Sequence, residues 1–531
     1  MNRSVVTYLG LSLLSATLFS IPWLVPCCGW LLLLAWVPLL WIESDFEARK
    51  AKGCWKYYGL TFLLWNALTT YWIYQATLWG GIFAVIANAF QMFLIFALFR
   101  FVKRKTGTTV GYLFLTALWI SWEYFYFDAE ISWPWLVLGN GFANSTFLVQ
   151  WYEYTGVLGG SLWIFLTNLS ILKLKGGGYK KIAIMAAILV LPVAVSLIKY
   201  YTYTEKYNPV EVVVLQPNID PYNDKFDRMS QEDQDARLLE LADQSITPYT
   251  RYLFAPETAV SYVWENDIIS NASFVRIYEF LQNYPHTAFI VGATSFYRYP
   301  ETVHMPTETA KQGINYWYDT FNSAFQLSHK AYPFIYHKSK LVPGAEKLPY
   351  AKYLKIINNL AIDLGGGLGS FGTQPESSIF PAPWNNHPSD TMPAPLYIGV
   401  AICYESVYGE YFASYVKKGA GLMSVITNDG WWGDSPGYHQ HLSYSRLRAI
   451  ETRRSIARSA NTGISALINQ RGDYIQRSAW WEKSWLRGDL NINHKLTFYV
   501  RYGDVIGKVS VYLLVLLLVY WLVCCRYRVR R

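Results

Sequence analysis

Long runs of apolar residues fill the first 200 positions of the chain, and one more run lies near its end. A helix that crosses a bilayer needs about 20 mostly apolar residues. Stretches that reach or approach this length lie at residues 5–22, 24–42, 57–76, 79–100, 109–127, 157–172, 182–200 and 507–525. The pattern predicts a membrane bundle of about eight helices, with about seven in residues 1–200. Residues 506–531 form the last helix and a basic tail.

Between residues 205 and 495 the pattern changes to short apolar runs separated by amphipathic stretches. Helical periodicity over 230–245 and 272–283, the first opening with a Ser-x-x-Asp cap, fits helices that connect strands. The runs of strand length are 210–215, 252–255, 288–292, 321–328, 396–402, 422–427 and 464–469. This alternation predicts a separate α/β layered domain over residues 205–495.

Composition agrees with a membrane protein, since 52% of the residues are hydrophobic and only 16% are charged. The net charge of +9 is gathered in clusters between apolar runs, at 49–56, 100–105, 173–181 and 526–531. The intervening loops, 77–78 and 127–156, contain no Lys or Arg.

By the positive-inside rule the clusters are cytoplasmic, so the 205–495 domain is expected on the opposite face. In a bacterium with an outer membrane, that places a multi-pass protein in the inner membrane and its domain in the periplasm. Nucleic-acid binding is not expected.

Cysteine and histidine usage limits the chemistry of the 205–495 domain. Cys403 is its only cysteine, which excludes an internal disulfide and a cysteine-based zinc site there. His439 and His441 with Asp434 are a weak metal signal, because alternating residues do not share the helical face that ligands need. No metal and no cofactor is expected.

Three residues suited to covalent catalysis each stand at the end of an apolar run: Glu257, Lys338 and Cys403. A thiolate is a strong nucleophile, a carboxylate can take its proton, and an ammonium can stabilise an oxyanion. Each residue alone also has a structural explanation. Glu257 could be a carboxylate at a helix N-terminus, Lys338 a solvated lysine and Cys403 an inert buried cysteine. Their combination favours catalysis.

The motifs around these residues resemble a known family. They are Ala255-Pro256-Glu257-Thr258, Tyr336-His337-Lys338 with Glu346 eight residues on, Ile402-Cys403-Tyr404-Glu405, and the tryptophan-bearing segment 427–434. In this order they resemble the nitrilase (carbon–nitrogen hydrolase) superfamily. Together with the apolar spans they resemble its membrane-bound apolipoprotein N-acyltransferase family, over nearly the whole chain.

The resemblance implies an αββα sandwich for the 205–495 domain and assigns roles to individual residues. The implied catalytic residues are Glu257, Lys338 and Cys403, the supporting residues Glu346, Tyr404 and Glu405, and the substrate-binding residues Trp431, Phe226 and Pro349. Two departures stand out. The chain has Pro343-Gly344-Ala345-Glu346 where members often have Pro-Phe-Gly-Glu, and Phe226 where a Trp is common. Acyl-chain preference and loop motion are therefore left open.

The implied reaction is a metal-free ping-pong transfer. The acyl donor is a phospholipid, the carrier is a Cys403 thioester, and the acceptor is the α-amino group of a diacylglyceryl-cysteine on an apolipoprotein. The sequence leaves the oligomeric state open, with a monomer as the expectation.

Two alternatives remain. One is a membrane-bound amidase or nitrilase-type C–N hydrolase; the other is an inactive nitrilase-like module on a transporter or structural membrane protein. The membrane part shows no charge pairs of the kind that transporters bury, and this argues against the second alternative.

Overall fold

The computed structural model describes residues 3–174, 178–225, 228–347, 349–350, 371–383 and 396–529. The chain divides into two compact units. The helical unit consists of Met1–Tyr203, Asp434–Ser443 and Tyr502–Arg531. The sheet unit consists of Thr204–Gly433 and Tyr444–Arg501.

The helices follow the predicted pattern closely along the chain. They are α1 (Arg3–Leu24), α2 (Leu32–Ala48), α3 (Trp55–Thr70), α4 (Leu78–Thr106), α5 (Thr108–Tyr126), α6 (Tyr152–Leu172), α7 (Tyr179–Thr202), α8 (Gln231–Ser245), α9 (Ala272–Gln282), α10 (Gly409–Lys417), α11 (Pro436–Thr452), α12 (Phe498–Tyr502) and α13 (Val505–Val529). Helix α8 begins at the predicted cap, where the Ser230 hydroxyl accepts a hydrogen bond from the Asp233 amide at 3.1 Å.

A helix lies at each of the eight predicted spans. Among the described residues, six helices are long and apolar enough to cross a membrane: Val5–Leu24, Gly29–Ala48, Leu78–Thr106, Tyr152–Leu172, Tyr179–Thr202 and Val505–Cys525. Helices α3 and α5 do not meet both criteria, and α3 has only 16 residues. The chain is thus a multi-pass helical protein, and the count of eight crossings stays a prediction.

One expectation about the helical unit is wrong, because the unit does bury a charge pair. Lys103 donates to Glu43 of α2 at 2.5 Å, and both side chains are at most 2% exposed. A second carboxylate, Glu47, lies 2.7 Å from the same ammonium. The predicted span stopped at residue 100, whereas α4 continues to Thr106 and carries Lys103 into the bundle.

A tryptophan-rich loop of the helical unit takes part in a hydrogen-bond network around Gln440. The side-chain oxygen of Gln440 accepts hydrogen bonds from the indoles of Trp135 at 2.7 Å and Trp72 at 3.2 Å. The Gln440 amide in turn donates to the Thr69 carbonyl at 3.1 Å. These indoles hold segment 434–443 within the helical unit, a packing role that the sequence pattern does not reveal.

The sheet unit contains the strands. They are β1 (Pro209–Gln216), β2 (Tyr252–Phe254), β3 (Val260–Trp264), β4 (Ala288–Arg298), β5 (Lys311–Gln312), β6 (Trp317–Ser328), β7 (Phe334–His337), β8 (Ile379–Pro381), β9 (Tyr397–Ile402), β10 (Leu422–Thr427), β11 (Ile456–Ala460), β12 (Ala466–Ile468), β13 (Tyr474–Arg477) and β14 (Ser484–Asn491). All seven predicted strand runs coincide with observed strands.

The strands form two sheets that pack face to face. The first has the order β14-β1-β2-β4-β6-β5, with β3 beside β4 and β7 beside β6; the second has the order β13-β12-β11-β10-β9-β8. Strand β1 contacts β11 of the other sheet, where the Ser459 hydroxyl donates to the Leu215 carbonyl at 2.8 Å. Helices α8 and α9 cover the first sheet and α10 covers β9. The predicted αββα sandwich is therefore confirmed.

A fully buried ion pair on α11 predicts a specific loss of stability. Within the sheet unit, Arg448 donates to Glu451 and to the Val407 carbonyl, each at 2.8 Å. Glu451→Gln removes the charge partner of a buried guanidinium and is expected to lower the free energy of unfolding by about 3–5 kcal/mol. Thermal denaturation of the detergent-solubilised protein measures the change.

Glu376→Gln is the matched control, because Glu376 pairs with Lys418 at the same 2.8 Å but is 78% exposed. Exposed pairs contribute little, so this variant should melt like the wild type. Equal Tm shifts in the two variants would contradict the burial argument.

Candidate active site

Cys403 occupies a sharp turn at the end of β9. The strand ends at Ile402, and the five residues from Cys403 to Val407 form a single 3₁₀ turn. Cys403 has a φ of +51°, in the left-handed region that residues other than glycine rarely adopt. Strands β9 and β10 pair in parallel with Ile402 opposite Ile426, which places the next residue, Thr427, beside Cys403. The thiol is thus held at the carboxyl ends of two central strands.

Glu257 lies just beyond β2, where the backbone is held tightly against β4. The Gly292 amide donates to the Pro256 carbonyl at 3.1 Å. A Cβ atom at Gly292 would lie 2.6 Å from the Cα atom of Glu257 and from the Pro256 oxygen. Only glycine permits this approach, so β4 fixes the position of the Glu257 backbone.

Lys338 follows β7, and its ammonium lies between two carboxylates. Its amide donates to the Asn322 carbonyl at 2.8 Å, which continues the β6–β7 ladder. Its Nζ atom donates to Glu346 at 2.7 Å and to Glu257 at 3.0 Å, with the lysine side chain 1% exposed. Burial alone would lower the pKa of Lys338, but these two carboxylates outweigh it and hold the pKa well above its usual value. The lysine is therefore a permanent buried cation.

Glu346 reaches Lys338 despite the unusual segment before it. Gly344 has a φ of +84°, which turns the chain back, and the Val342 amide donates to the Glu346 carboxylate at 2.8 Å. The departure from the usual family sequence therefore does not displace this carboxylate from the lysine.

Asn322 joins the same cluster, although the pattern of the sequence does not single it out. Its Nδ2 atom donates to Glu257 at 2.7 Å and to Glu346 at 2.9 Å. It is 4% exposed within the buried strand β6. A carboxamide in the middle of a buried strand is the one signal that could have identified it.

Glu405 links the turn that carries Cys403 to the turn that carries Lys338. One carboxylate oxygen accepts from the Ser339 amide at 2.7 Å, directly after Lys338, and the other from the Ile402 amide at 2.8 Å, directly before Cys403. Tyr336 adds a third donor at 2.6 Å. Burial raises the pKa of Glu405 while these donors oppose the rise. The carboxylate thus sets the spacing between nucleophile and cation.

Lys225 supports the residue that follows the glutamate. Its ammonium donates to the Thr258 hydroxyl at 2.7 Å and to the Glu257 carbonyl at 3.3 Å. Thr258 has a φ of +49°, so this contact stabilises a strained conformation. Burial lowers the pKa of Lys225 to about 8.

Another buried ion pair anchors the segment after β10. Arg458 donates to Asp429 at 2.5 Å, and both side chains are fully buried. The backbone amide of the preceding residue, Asn428, donates to Oε2 of Glu257 at 3.1 Å. Lys338 contacts the other carboxylate oxygen, Oε1. The Asp429–Arg458 pair therefore helps to orient Glu257, and sequence reasoning missed it.

The electrostatics around Cys403 favour proton transfer within the cluster. Burial, followed by the nearby Glu257 carboxylate, holds the pKa of Cys403 well above its usual value, and Lys338 opposes both. With both carboxylates ionised, Glu257, Glu346 and Lys338 carry one net negative charge, and losing the thiol proton to water would add another. Transfer of that proton to Glu257 leaves the buried charge unchanged. The arrangement suits a thiol that is deprotonated only as it attacks.

The structure describes three of the four remaining predicted site residues. Tyr404 is buried, with its ring 5.3 Å from that of Tyr408. Trp431 packs edge-on against Tyr222 with ring centroids 5.1 Å apart. Pro349 is half-buried in a turn, and Phe226 lies outside the described residues. The structure thus brings Glu257, Lys338, Cys403 and Glu346 together, and the catalytic and binding roles of all these residues stay predictions.

The electrostatics of the cluster make a pH-dependent prediction. Lys338→Met removes the cation that favours the thiolate, so alkylation of Cys403 by iodoacetamide should shift to higher pH. Mass spectrometry of the Cys403 peptide across a pH series gives the profile. Lys340→Met is the matched control, because the Lys340 ammonium faces the rings of Tyr408 and Tyr411. A Lys338→Met profile that is unmoved, or moved to lower pH, would contradict this account.

Comparison with known proteins assigns both parts of the chain. Residues 197–494 match the carbon-nitrogen hydrolase family, and residues 15–170 match the apolipoprotein N-acyltransferase N-terminal domain. The apolipoprotein N-acyltransferase of Chlorobaculum tepidum is 29% identical over 500 residues, which cover 90% of this chain and 89% of that protein. That of Geobacter metallireducens is 26% identical over 520 residues, covering 93% and 91% respectively. The chain therefore belongs to the carbon–nitrogen hydrolase family and carries the N-terminal domain of the apolipoprotein N-acyltransferases.

Proposed function

We propose that this protein is an N-acyltransferase that moves an acyl chain from a phospholipid to the N-terminal diacylglyceryl-cysteine of bacterial lipoproteins. The observation that carries the proposal is the buried cluster in which Lys338 bridges Glu257 and Glu346 beside the Cys403 thiol. The same chain contains helices suited to a bilayer, where a phospholipid donor resides. Its similarity to apolipoprotein N-acyltransferases along most of their length supports the same conclusion.

The first half-reaction forms a thioester. Glu257 takes the Cys403 proton as the sulfur attacks the ester carbonyl of the phospholipid. The Lys338 ammonium and the Tyr404 backbone amide stabilise the oxyanion. When the tetrahedral intermediate collapses, the C–O bond breaks, and the departing lysophospholipid takes the proton from Glu257.

The second half-reaction forms an amide. The α-amino group of the acceptor attacks the thioester carbonyl, and Glu257 accepts a proton from the nitrogen. Collapse breaks the C–S bond, and the sulfur regains a proton from Glu257. Dividing one difficult transfer into two steps is the advantage of covalent catalysis.

The other predicted residues fit positioning and binding roles in this scheme. Glu346 keeps Lys338 charged and in place, and Glu405 holds the Cys403 and Lys338 turns at a fixed separation. Tyr404 shapes the pocket beside the nucleophile. Trp431, Phe226 and Pro349 are proposed to line the route of the acyl chain.

The proposed location is the bacterial inner membrane, with the enzyme working as a monomer. The basic clusters between apolar runs favour a cytoplasmic position for those loops. Eight crossings would then place the 205–495 domain in the periplasm. Along the chain, this domain follows the bundle of residues 1–200 and precedes the last helix of residues 506–531. Neither a metal nor a cofactor takes part in the proposed mechanism.

Acylation of Cys403 tests the proposal directly. Incubation with phosphatidylethanolamine vesicles and no acceptor should add the mass of one acyl chain to the Cys403 peptide, and hydroxylamine should remove it. Cys403→Ser should abolish both this adduct and N-acylation. Cys54→Ser, which alters a buried free cysteine of the helical unit, should change neither. Full transfer activity with unmodified Cys403 would contradict the mechanism.

A diacylated lipopeptide distinguishes the transferase from its alternatives. An amide-linked third acyl chain supports the proposal. Free fatty acid as the only product would indicate a membrane-bound C–N hydrolase-type enzyme, and absence of any turnover would indicate an inactive module.

A further inference from the structure

Asn428 lies inside the catalytic cluster but takes no part in the mechanism above. It follows β10 directly after Thr427, which the β9–β10 register places beside Cys403. Its backbone amide donates to the Glu257 carboxylate at 3.1 Å. Its side chain is buried, at 2% exposure. The residue is therefore adjacent to both the nucleophile and the base.

The orientation of the Asn428 carboxamide is fixed by its neighbour Asn461. Asn461 donates through Nδ2 to the Ile219 carbonyl at 2.7 Å and accepts through Oδ1 from the Ile219 amide at 3.0 Å. This pairing determines which end of Asn461 is the donor, and the same Nδ2 atom lies 3.2 Å from Oδ1 of Asn428. A flipped Asn428 would bring two N–H groups together. Oδ1 of Asn428 therefore faces Asn461, and its Nδ2 atom points away.

The Nδ2 atom of Asn428 has no hydrogen-bond partner among the described residues. A buried donor without a partner is costly and uncommon in folded proteins, so it calls for a physical reason. Asn322 offers the other unpartnered carboxamide atom of the cluster, but this atom is Oδ1, an acceptor. A developing negative charge requires a donor, and Asn428 is the one of the two that can provide it.

We infer that the Asn428 side-chain N–H is a further oxyanion donor, which binds the carbonyl oxygen of the acyl group in both half-reactions. As the sulfur–carbon bond forms and the Cys403 proton passes to Glu257, the carbonyl π pair moves onto this oxygen. Nδ2 of Asn428 donates to the oxygen together with the Lys338 ammonium. When the C–O bond of the ester breaks, the pair returns and the proton leaves Glu257 with the alcohol. The identity of the acyl donor rests on the proposed function, whereas the need for an oxyanion donor does not.

The test compares two reactions of Cys403 in the full-length protein. Acylation passes through an oxyanion, whereas alkylation by iodoacetamide displaces iodide at a carbon and forms none. Asn428→Ala should slow thioester formation by about 10²–10³-fold, the usual effect of removing one oxyanion donor. The alkylation rate should stay within about twofold, because the backbone amide that orients Glu257 is retained. Asn428→Asp, of similar size, puts an acceptor where the donor was and should lose at least as much acylation.

Asn218→Ala is the matched control. Asn218 also has an unpartnered side-chain oxygen among the described residues, and its Nδ2 atom donates to the Trp481 carbonyl at 3.0 Å. Its φ of +52° means that alanine introduces backbone strain at this position, so the variant controls for lost stability. Both its acylation and alkylation rates should match those of the wild type.

Each acylation rate is measured with phosphatidylethanolamine vesicles as the acyl donor and, separately, with a short-chain p-nitrophenyl ester. Equal acylation of wild type and Asn428→Ala by the p-nitrophenyl ester would overturn the inference, as would parallel losses of acylation and alkylation. A wild-type protein that reacts with the p-nitrophenyl ester but not with phospholipid would contradict the proposed lipid substrate alone.

Discussion

The candidate site depends on a lysine ammonium that is buried away from water. An ion placed in a protein interior loses its hydration, and only close opposite charges and hydrogen bonds compensate for the loss. Lys338 meets this requirement with two carboxylates, Glu257 and Glu346, each within 3.0 Å of its nitrogen. Asn322 donates to both carboxylates and completes the cluster. Because each member needs the others, the ends of β2 and β7 and the middle of β6 are held together at one place.

This constraint explains the chemistry proposed for Cys403. Its thiol is buried beside a cluster that already has one net negative charge, so a free thiolate is disfavoured. A proton passed to Glu257 leaves that charge unchanged, while Lys338 remains to stabilise the oxyanion that follows. Glu405 binds the backbone on both sides of this arrangement and preserves the spacing that both steps need. Stability and catalysis therefore depend on the same contacts.

Much of this architecture could be predicted from the sequence, because it follows from burial patterns. Strands such as β9 and β10 are short and mostly apolar, and Glu257, Lys338 and Cys403 each stand where an apolar run ends. The cap at Ser230 could also be predicted, because capping requires particular residues at a fixed spacing.

Residues that act through long-range contacts could not be found in this way. Asn322 sits within the buried strand β6 and Asn428 follows the buried strand β10, and neither position has a periodic signature. Lys103 looks like part of a basic loop until α4 continues past it and meets Glu43. Gln440 is distant in sequence from the tryptophans that it holds. Pairing between remote segments is decided by tertiary structure, which local pattern does not encode.

Kinetic competence of the acyl-enzyme tests the central claim most directly. The protein acylated on Cys403 is separated from phospholipid, mixed with a diacylated lipopeptide and quenched at intervals. The mechanism predicts that each thioester lost yields one amide-linked acyl chain, at a rate no slower than steady-state turnover. A thioester that persists, or that is converted only to free fatty acid, would contradict Cys403 as the acyl carrier of an N-acyltransferase.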